Sequence, residues 1–361
     1  MIIDKGISSE VTEEDIANGV KDEFGALYSP DGKRLLRGVD TDSYRIKPGT
    51  QVICDTAFAR CRDLTRIIIP DSVTRIGISA FNSCNALASI SIPNSVTFIA
   101  GYAFNGCCSL TSIIIPDSVA HIGEGAFSWC YNLASITISN SVKHIEEKAF
   151  TRCCSLTNIT IPDSVTHIGK NAFSSCTALT SITIPNSVTH IGNEAFGLCH
   201  NLTSISIPDS VTFIGRNAFA DCCALSSITI PDSVTHIGDF AFLFCRGLTS
   251  ITIPSSVTHL GAFAFLHCDN LVSIKVDGDN TAYDSREHCN AIIHTATNTL
   301  MTWCEHTIIP DSVTHIGEEK YGKRFALAEI FTPADMGKPI GGYDDKFHKL
   351  LPSIQDMFAD D

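Results

Sequence analysis

The chain has 361 residues, of which 44% are hydrophobic and 18% charged, and it carries a formal net charge of −14. That length can bury a sizeable core, while an acidic balance argues against a nucleic-acid surface, which needs Lys and Arg to neutralise phosphates. No window reaches the roughly 18 apolar residues of a membrane helix, and Met1-Ile2-Ile3-Asp4-Lys5 does not open a secretory signal, so the expectation is a folded, cytoplasmic chain that inserts in no membrane.

In chain order, Thr12-Glu13-Glu14-Asp15 comes first and reads as a helix start, with Thr12 as N-cap and Asp15 three residues on. Residues 24–29 and 33–38 flank Pro30-Asp31-Gly32, a turn signal that predicts a hairpin. Together they make residues 1–45 an N-terminal cap, leading through Ile46, Ile53, Ala57 and Phe58 into a degenerate first rung.

From there a 23-residue period governs the chain. Ten of the sixteen Cys form one series, Cys61, Cys84, Cys107, Cys130, Cys153, Cys176, Cys199, Cys222, Cys245 and Cys268. A Leu follows each by three residues and an Ile by six. A fixed period of this size marks a solenoid, whose units bury their apolar edges against one another. Within one unit Ile182 and Ile184 alternate with Ser181 and Thr183, the mark of a short strand with one buried face. Pro185 ends that strand, Val188 and Ile191 form a second inward edge, and Gly192 turns the chain. Ala195-Phe196 then points inward from a short helical or 3₁₀ turn. Ten Phe from Phe58 to Phe265, also 23 residues apart, should form an aromatic spine opposite the strands.

The unit C-x-x-L-T-S-I-T-I-P-x-S-V-T-H-I-G-x-x-A-F resembles the bacterial leucine-rich repeats of the BspA-like type, over roughly Ile46 to Val276. The resemblance implies an α/β leucine-rich-repeat solenoid of about eleven rungs over residues 46–276. Its parallel sheet would line the concave face and its short helical or 3₁₀ turns the convex face. It further implies a binding or adhesion protein without catalytic activity, whose partner is another protein, and a cell-surface or secreted location as the alternative to the cytoplasm. Residues 277–307 are similar to inserts found between such repeats, and residues 308–317 form a last degenerate repeat, with Lys320-Tyr321 standing where Ala-Phe belongs. Residues 318–361 are an acidic tail: residues 277–361 carry 7 basic and 15 acidic groups, against 12 and 14 over residues 46–276. In that tail Phe347, Leu350, Leu351, Ile354, Met357 and Phe358 fall at helical spacing, and Pro352 must kink or restart the helix.

Few residues offer chemistry. The sequence holds no Cys-x-x-Cys, so the Cys series reads as buried thiols rather than zinc ligands. Cys107-Cys108, Cys153-Cys154 and Cys222-Cys223 are vicinal pairs and poor disulfide candidates. His121, His144, His167, His190, His236, His259 and His315 share one column, interrupted by Arg75, Phe98 and Phe213, which places it on the solvent side of a strand rather than around a metal. Asp277-x-Asp279-x-Thr281 starts like a calcium loop but continues with Ala282 and His288 where Gly and Glu belong, so a turn is expected. Cys289, His294, Cys304 and His306 match no standard zinc spacing. With no phosphate loop, nucleophile elbow or His-Glu-x-x-His, an enzyme is not expected, and no cofactor is assigned.

Two surfaces are candidates for binding. Ser181, Thr183, Ser204, Ser206, Ser227, Thr229, Ser250 and Thr252 should point out of the sheet as a flat hydroxyl face suited to an extended ligand. Beside the Ala-Phe pairs, outward positions that are polar elsewhere become Phe240, Leu243, Phe244, Phe263 and Leu266, an expected exposed apolar patch. Its occupant would be the chain's own tail or a second protein molecule, including a homo-oligomer mate.

Overall fold

The computed structural model describes residues 7–304 and 306–316, with the backbone strands Phe325–Ala326 and Pro339–Ile340 beyond them. The helical spacing read over Phe347 to Phe358 and the break at Lys320-Tyr321 lie outside the described residues.

Each 23-residue unit makes one turn of a solenoid with three sides, two of them parallel sheets. On the first side, Ser43–Arg45, Arg66–Ile68 and Ser89–Ile90 pair in register, as do Ser112–Ile114 with Ser135–Thr137, Ser181–Thr183 with Ser204–Ser206, and Ser250–Ile253 with Ser273–Val276. From Ser43 to Ser273 there are ten turns of the period, hence eleven strand positions. Alternation does what it should: in Ser181–Thr183 the Ile is buried and its two neighbours are exposed. We call this side the hydroxyl sheet.

Pro185 ends the strand, and Val188 N–H closes the corner on the Pro185 carbonyl at 3.0 Å. The corner hydroxyl is spent on the stack, since Ser210 Oγ donates to the Val188 carbonyl of the preceding rung at 2.6 Å and Ser233 Oγ to Val211 at 2.7 Å. A second sheet follows, six-stranded and parallel from His144–Ile145 to His259–Leu260, and seven-stranded from Val20–Lys21 to His121–Ile122, where the pairing is parallel from Arg34–Arg37 onward and antiparallel among the first three strands. Ile191 and its equivalents face inward and the His column faces outward. We call it the imidazole sheet.

The third side differs from expectation in one respect. Its short helical or 3₁₀ turns are replaced by consecutive β-turns, because every second amide is used between rungs. Ala195, Gly197 and Cys199 donate back to Gly192, Glu194 and Phe196, whereas Glu194, Phe196 and Leu198 donate to Arg216, Ala218 and Ala220 of the next rung at 2.7–2.8 Å. The alternation holds Glu194 and Leu198 at φ of 56° and 62°. A helix would need those N–H groups for itself.

Between the three sides lies one continuous core. The Phe rings from Phe58 to Phe265 stack with centroids 5.1–5.8 Å apart. Each ladder thiol from Cys84 to Cys268 donates to a Phe carbonyl 26 residues earlier, as Cys199 Sγ does to Phe173 at 3.3 Å. Burial pushes these thiols up, Cys199 to about 12. Gly38 stands one period before Cys61, where the Phe58 ring would lie 2.1 Å from any Cβ.

At the N-terminal end, helix α1 (Glu13–Asn18) is capped reciprocally by Thr12 and Asp15. Asp15 also holds Arg34 at 2.6 Å, on the strand Arg34–Arg37 that pairs antiparallel with Leu27–Tyr28 around the Pro30-Asp31-Gly32 turn. Past the repeats, Tyr283–Asp284, Ile292–His294 and Thr299–Thr302 form an antiparallel meander, and the last of these runs parallel to His315–Ile316.

Candidate functional site

All eight hydroxyl-sheet residues singled out in the sequence lie exposed on one side, over the buried Ile182, Ile205, Ile228 and Ile251. Ser227 to Thr229 keeps the place between Ser204–Ser206 and Ser250–Ile253 without forming a strand of its own. None of the eight hydroxyls makes a hydrogen bond within the described chain, in contrast with the Thr hydroxyls just before the strands: Thr203 Oγ1 donates to the Thr180 carbonyl at 3.0 Å and Thr180 Oγ1 to Thr157 at 3.3 Å. The same exposed face continues back through Thr160, Asn158, Thr137 and Ser135, which the sequence reading left out although their column position is identical. It is bounded by Ile114, 70% exposed, at one end and Lys275 at the other.

On the imidazole sheet the rings stack along the solenoid. Centroids are 5.3 Å apart from His144 to His167 and from His167 to His190, and 5.5 Å from His236 to His259. Phe98 continues the stack to His121 at 4.8 Å, and the Arg75 guanidinium lies over Phe98 at 4.5 Å. Thr166 Oγ1 lies 2.8 Å from His167 Nδ1 and 3.3 Å from the Lys143 carbonyl of the preceding rung. Burial and the flanking imidazoles hold the His167 pKa below its ordinary value; for His121 burial lowers it while Glu146, 3.9 Å away, pulls it up.

The apolar patch is a correction. Phe240 is fully buried, Leu243 and Leu266 are 3% and 4% exposed, and Phe244 and Phe263 are half-buried. The five form a satellite cluster with Ala220, in which Phe240 and Phe263 stack at 5.7 Å. Large apolar groups one period apart meet each other here rather than standing separately in solvent. The tail considered as its cover lies outside the described residues.

The weaker candidates go to structural uses. Asp277 accepts from the Asp279 N–H in a turn, and Asn280 beside it donates to the Pro254 and Val257 carbonyls. Cys304 Sγ is 3.0 Å from Asn290 Nδ2, Cys289 is buried, and His294 Nδ1 is 2.8 Å from Thr297 Oγ1. Among the described residues no group of three or more His, Cys, Asp or Glu is placed to hold a metal, and no helix is long and apolar enough to cross a membrane.

The model of the BspA type leucine-rich repeat region matches residues 51–180 and 166–291. Among solved structures, a leucine-rich cell surface protein from Faecalibacterium prausnitzii is 32% identical, with 72% of this chain and 86% of that one covered and a TM-score of 0.44. A leucine-rich repeat protein from Bacteroides ovatus is 26% identical, with coverage of 73% and 86% and a TM-score of 0.39. The pneumococcal vaccine antigen PcpA is 21% identical over 72% of this chain and 78% of its own, with a TM-score of 0.52, a likeness of fold. No curated protein matches the chain.

Proposed function

We propose that this chain, which belongs to the BspA type leucine-rich repeat family, is a non-enzymatic binding module that lays an extended segment of another protein along its hydroxyl sheet. The observation that carries the reading is the set of eight exposed hydroxyls that find no partner among the described residues, beside Ser and Thr columns whose hydroxyls are bonded into the stack. Parallel strands put them at a repeat of about 4.8 Å, so a ligand running along the solenoid meets the same donor and acceptor at each step. None of the eight face positions is Trp, Tyr or Arg, and affinity must come from many weak contacts in series.

Replacing Ser204, Ser206, Ser227 and Thr229 with Lys removes the flat surface without touching a buried group. Partners crosslinked to the wild-type protein in native cells should be lost from that variant, with its melting temperature kept. Retention of the same partners by a folded variant would remove the hydroxyl sheet from consideration. Fractionation of those cells assigns the compartment, an internal scaffold if the protein stays with the cytoplasm and an adhesin if it is recovered at the surface.

A further inference from the structure

The turn arc carries a second site where the repeat departs from its pattern. Between Ser174 and Phe244 three outward columns run side by side, each advancing 23 residues per rung. The middle column is small, Ser174, Gly197 and Ala220, until Leu243 closes it. One flank is Glu194 and Asn217, and the other Leu198, Asp221 and Phe244. Small residues between larger ones leave a groove of about 220 Å³ that ends against the satellite apolar cluster.

Its lining has an unusual balance. Glu194 and Asp221 stand on opposite flanks and neither is in an ion pair among the described residues. Burial holds the Asp221 carboxyl above the usual carboxylate range. The basic side chains near Asp221 are His200 and Arg246, and Arg246 is already held by Asp269 at 3.4 Å and by the Phe244 ring at 5.0 Å. Asn217, 8% exposed, completes the wall beside Glu194. Leu198 is 41% exposed at the same place, a large apolar group with room beside it.

We propose that this groove binds an organic cation on an aliphatic stem, the side chain of a lysine or arginine from a partner protein. The stem lies over the Ser174, Gly197 and Ala220 floor against Leu198 and Leu243. The ammonium or guanidinium sits between Glu194 and Asp221. A compact metal ion would use the carboxylates but leave the apolar walls bare, and a neutral apolar ligand would leave the charge of Glu194 and Asp221 unanswered.

Isothermal titration at low salt with Nα-acetyl-lysine methylamide tests the assignment, with the norleucine analogue, cadaverine and calcium chloride as comparisons. The lysine compound should bind at least about tenfold more tightly than norleucine, the difference a charged hydrogen bond makes. The pair Glu194→Gln and Asp221→Asn should weaken it by a similar factor, and Gly197→Leu should abolish it by filling the floor. A Cβ at Gly197 meets nothing closer than 3.5 Å, and Leu243 occupies the same column two rungs on, so that variant should keep its melting temperature. Tighter binding of the capped lysine than of cadaverine places the cation on a protein; tighter cadaverine binding would overturn the protein source. Equal binding of lysine and norleucine, undiminished binding by a folded Gly197→Leu variant, calcium binding without lysine binding, or no binding at all would overturn the site.

Discussion

On the hydroxyl sheet the outward residue at each rung is Ser or Thr from Ser181 to Thr252, whereas on the turn arc it changes from rung to rung between Ser174 and Phe244. Both sides hang on the same core, in which Phe and Cys recur unchanged. The core columns are set by packing, because each ring stacks on its neighbour and each thiol meets the same carbonyl. Outward positions are free of that demand. Repetition there produces a flat, extended surface suited to a repetitive ligand, and variation produces a local concavity with two carboxylates suited to one side chain.

The sharpest way to separate core demand from outward freedom uses two glycines. Gly215 begins the turn arc where it presses on the preceding rung, and a Cβ there would come within 2.6 Å of the Asn193 N and the Gly192 C. Gly215→Ala should cost about 1–3 kcal/mol, the usual penalty for overpacking, read as a lower urea midpoint. Gly197→Ala, in the groove floor, should change stability by less than about 0.5 kcal/mol. Equal costs would break the distinction between the two kinds of position.

A smaller effect should appear on the imidazole sheet. His167 has a native pKa below its ordinary 6.5 because burial and the neighbouring His144 and His190 disfavour the charged ring. Its contribution is fully present above pH 6.5 and is lost as pH falls through the lowered native value, since the unfolded chain takes up the proton first. The ring is exposed, so the loss is modest. The urea midpoint should fall between pH 7.5 and 5 more gently in His167→Gln than in the wild type; an identical fall in both would contradict the stacked, partly desolvated column.

Much of the fold was legible in the residues. The Cys, Leu, Ile and Phe columns announce a stacked core, Thr12 with Asp15 announces the capping box, and the interruptions by Arg75, Phe98 and Phe213 place the His column in solvent. The turn arc was not legible, because it holds Glu194, Leu198, Asn217, Asp221, Phe240 and Phe244 at positive φ. Local sequence rules reserve that conformation for Gly or Asn; here inter-rung hydrogen bonds impose it on any side chain. The groove did leave a signal, the small column Ser174, Gly197, Ala220, visible only when outward positions are compared across rungs rather than along the chain. Burial of Phe240 and Leu243 was missed for the same reason, since neighbours in space are 23 residues apart.

Both proposed surfaces need the rungs to stack closely enough to keep the outward columns in register, and the thiols report on that directly. Thirteen of the sixteen Cys are buried, and Cys108, Cys154 and Cys223 are half-buried. Burial also pushes up the pKa of ladder thiols such as Cys84 and Cys130, each to about 12, which leaves little thiolate to react near neutrality. Titration of the native protein with a thiol reagent should label at most those three half-buried groups, and the denatured protein should yield all sixteen. Rapid labelling of the whole ladder before denaturation would show that the rungs are not packed as described, and both binding surfaces would fall with them.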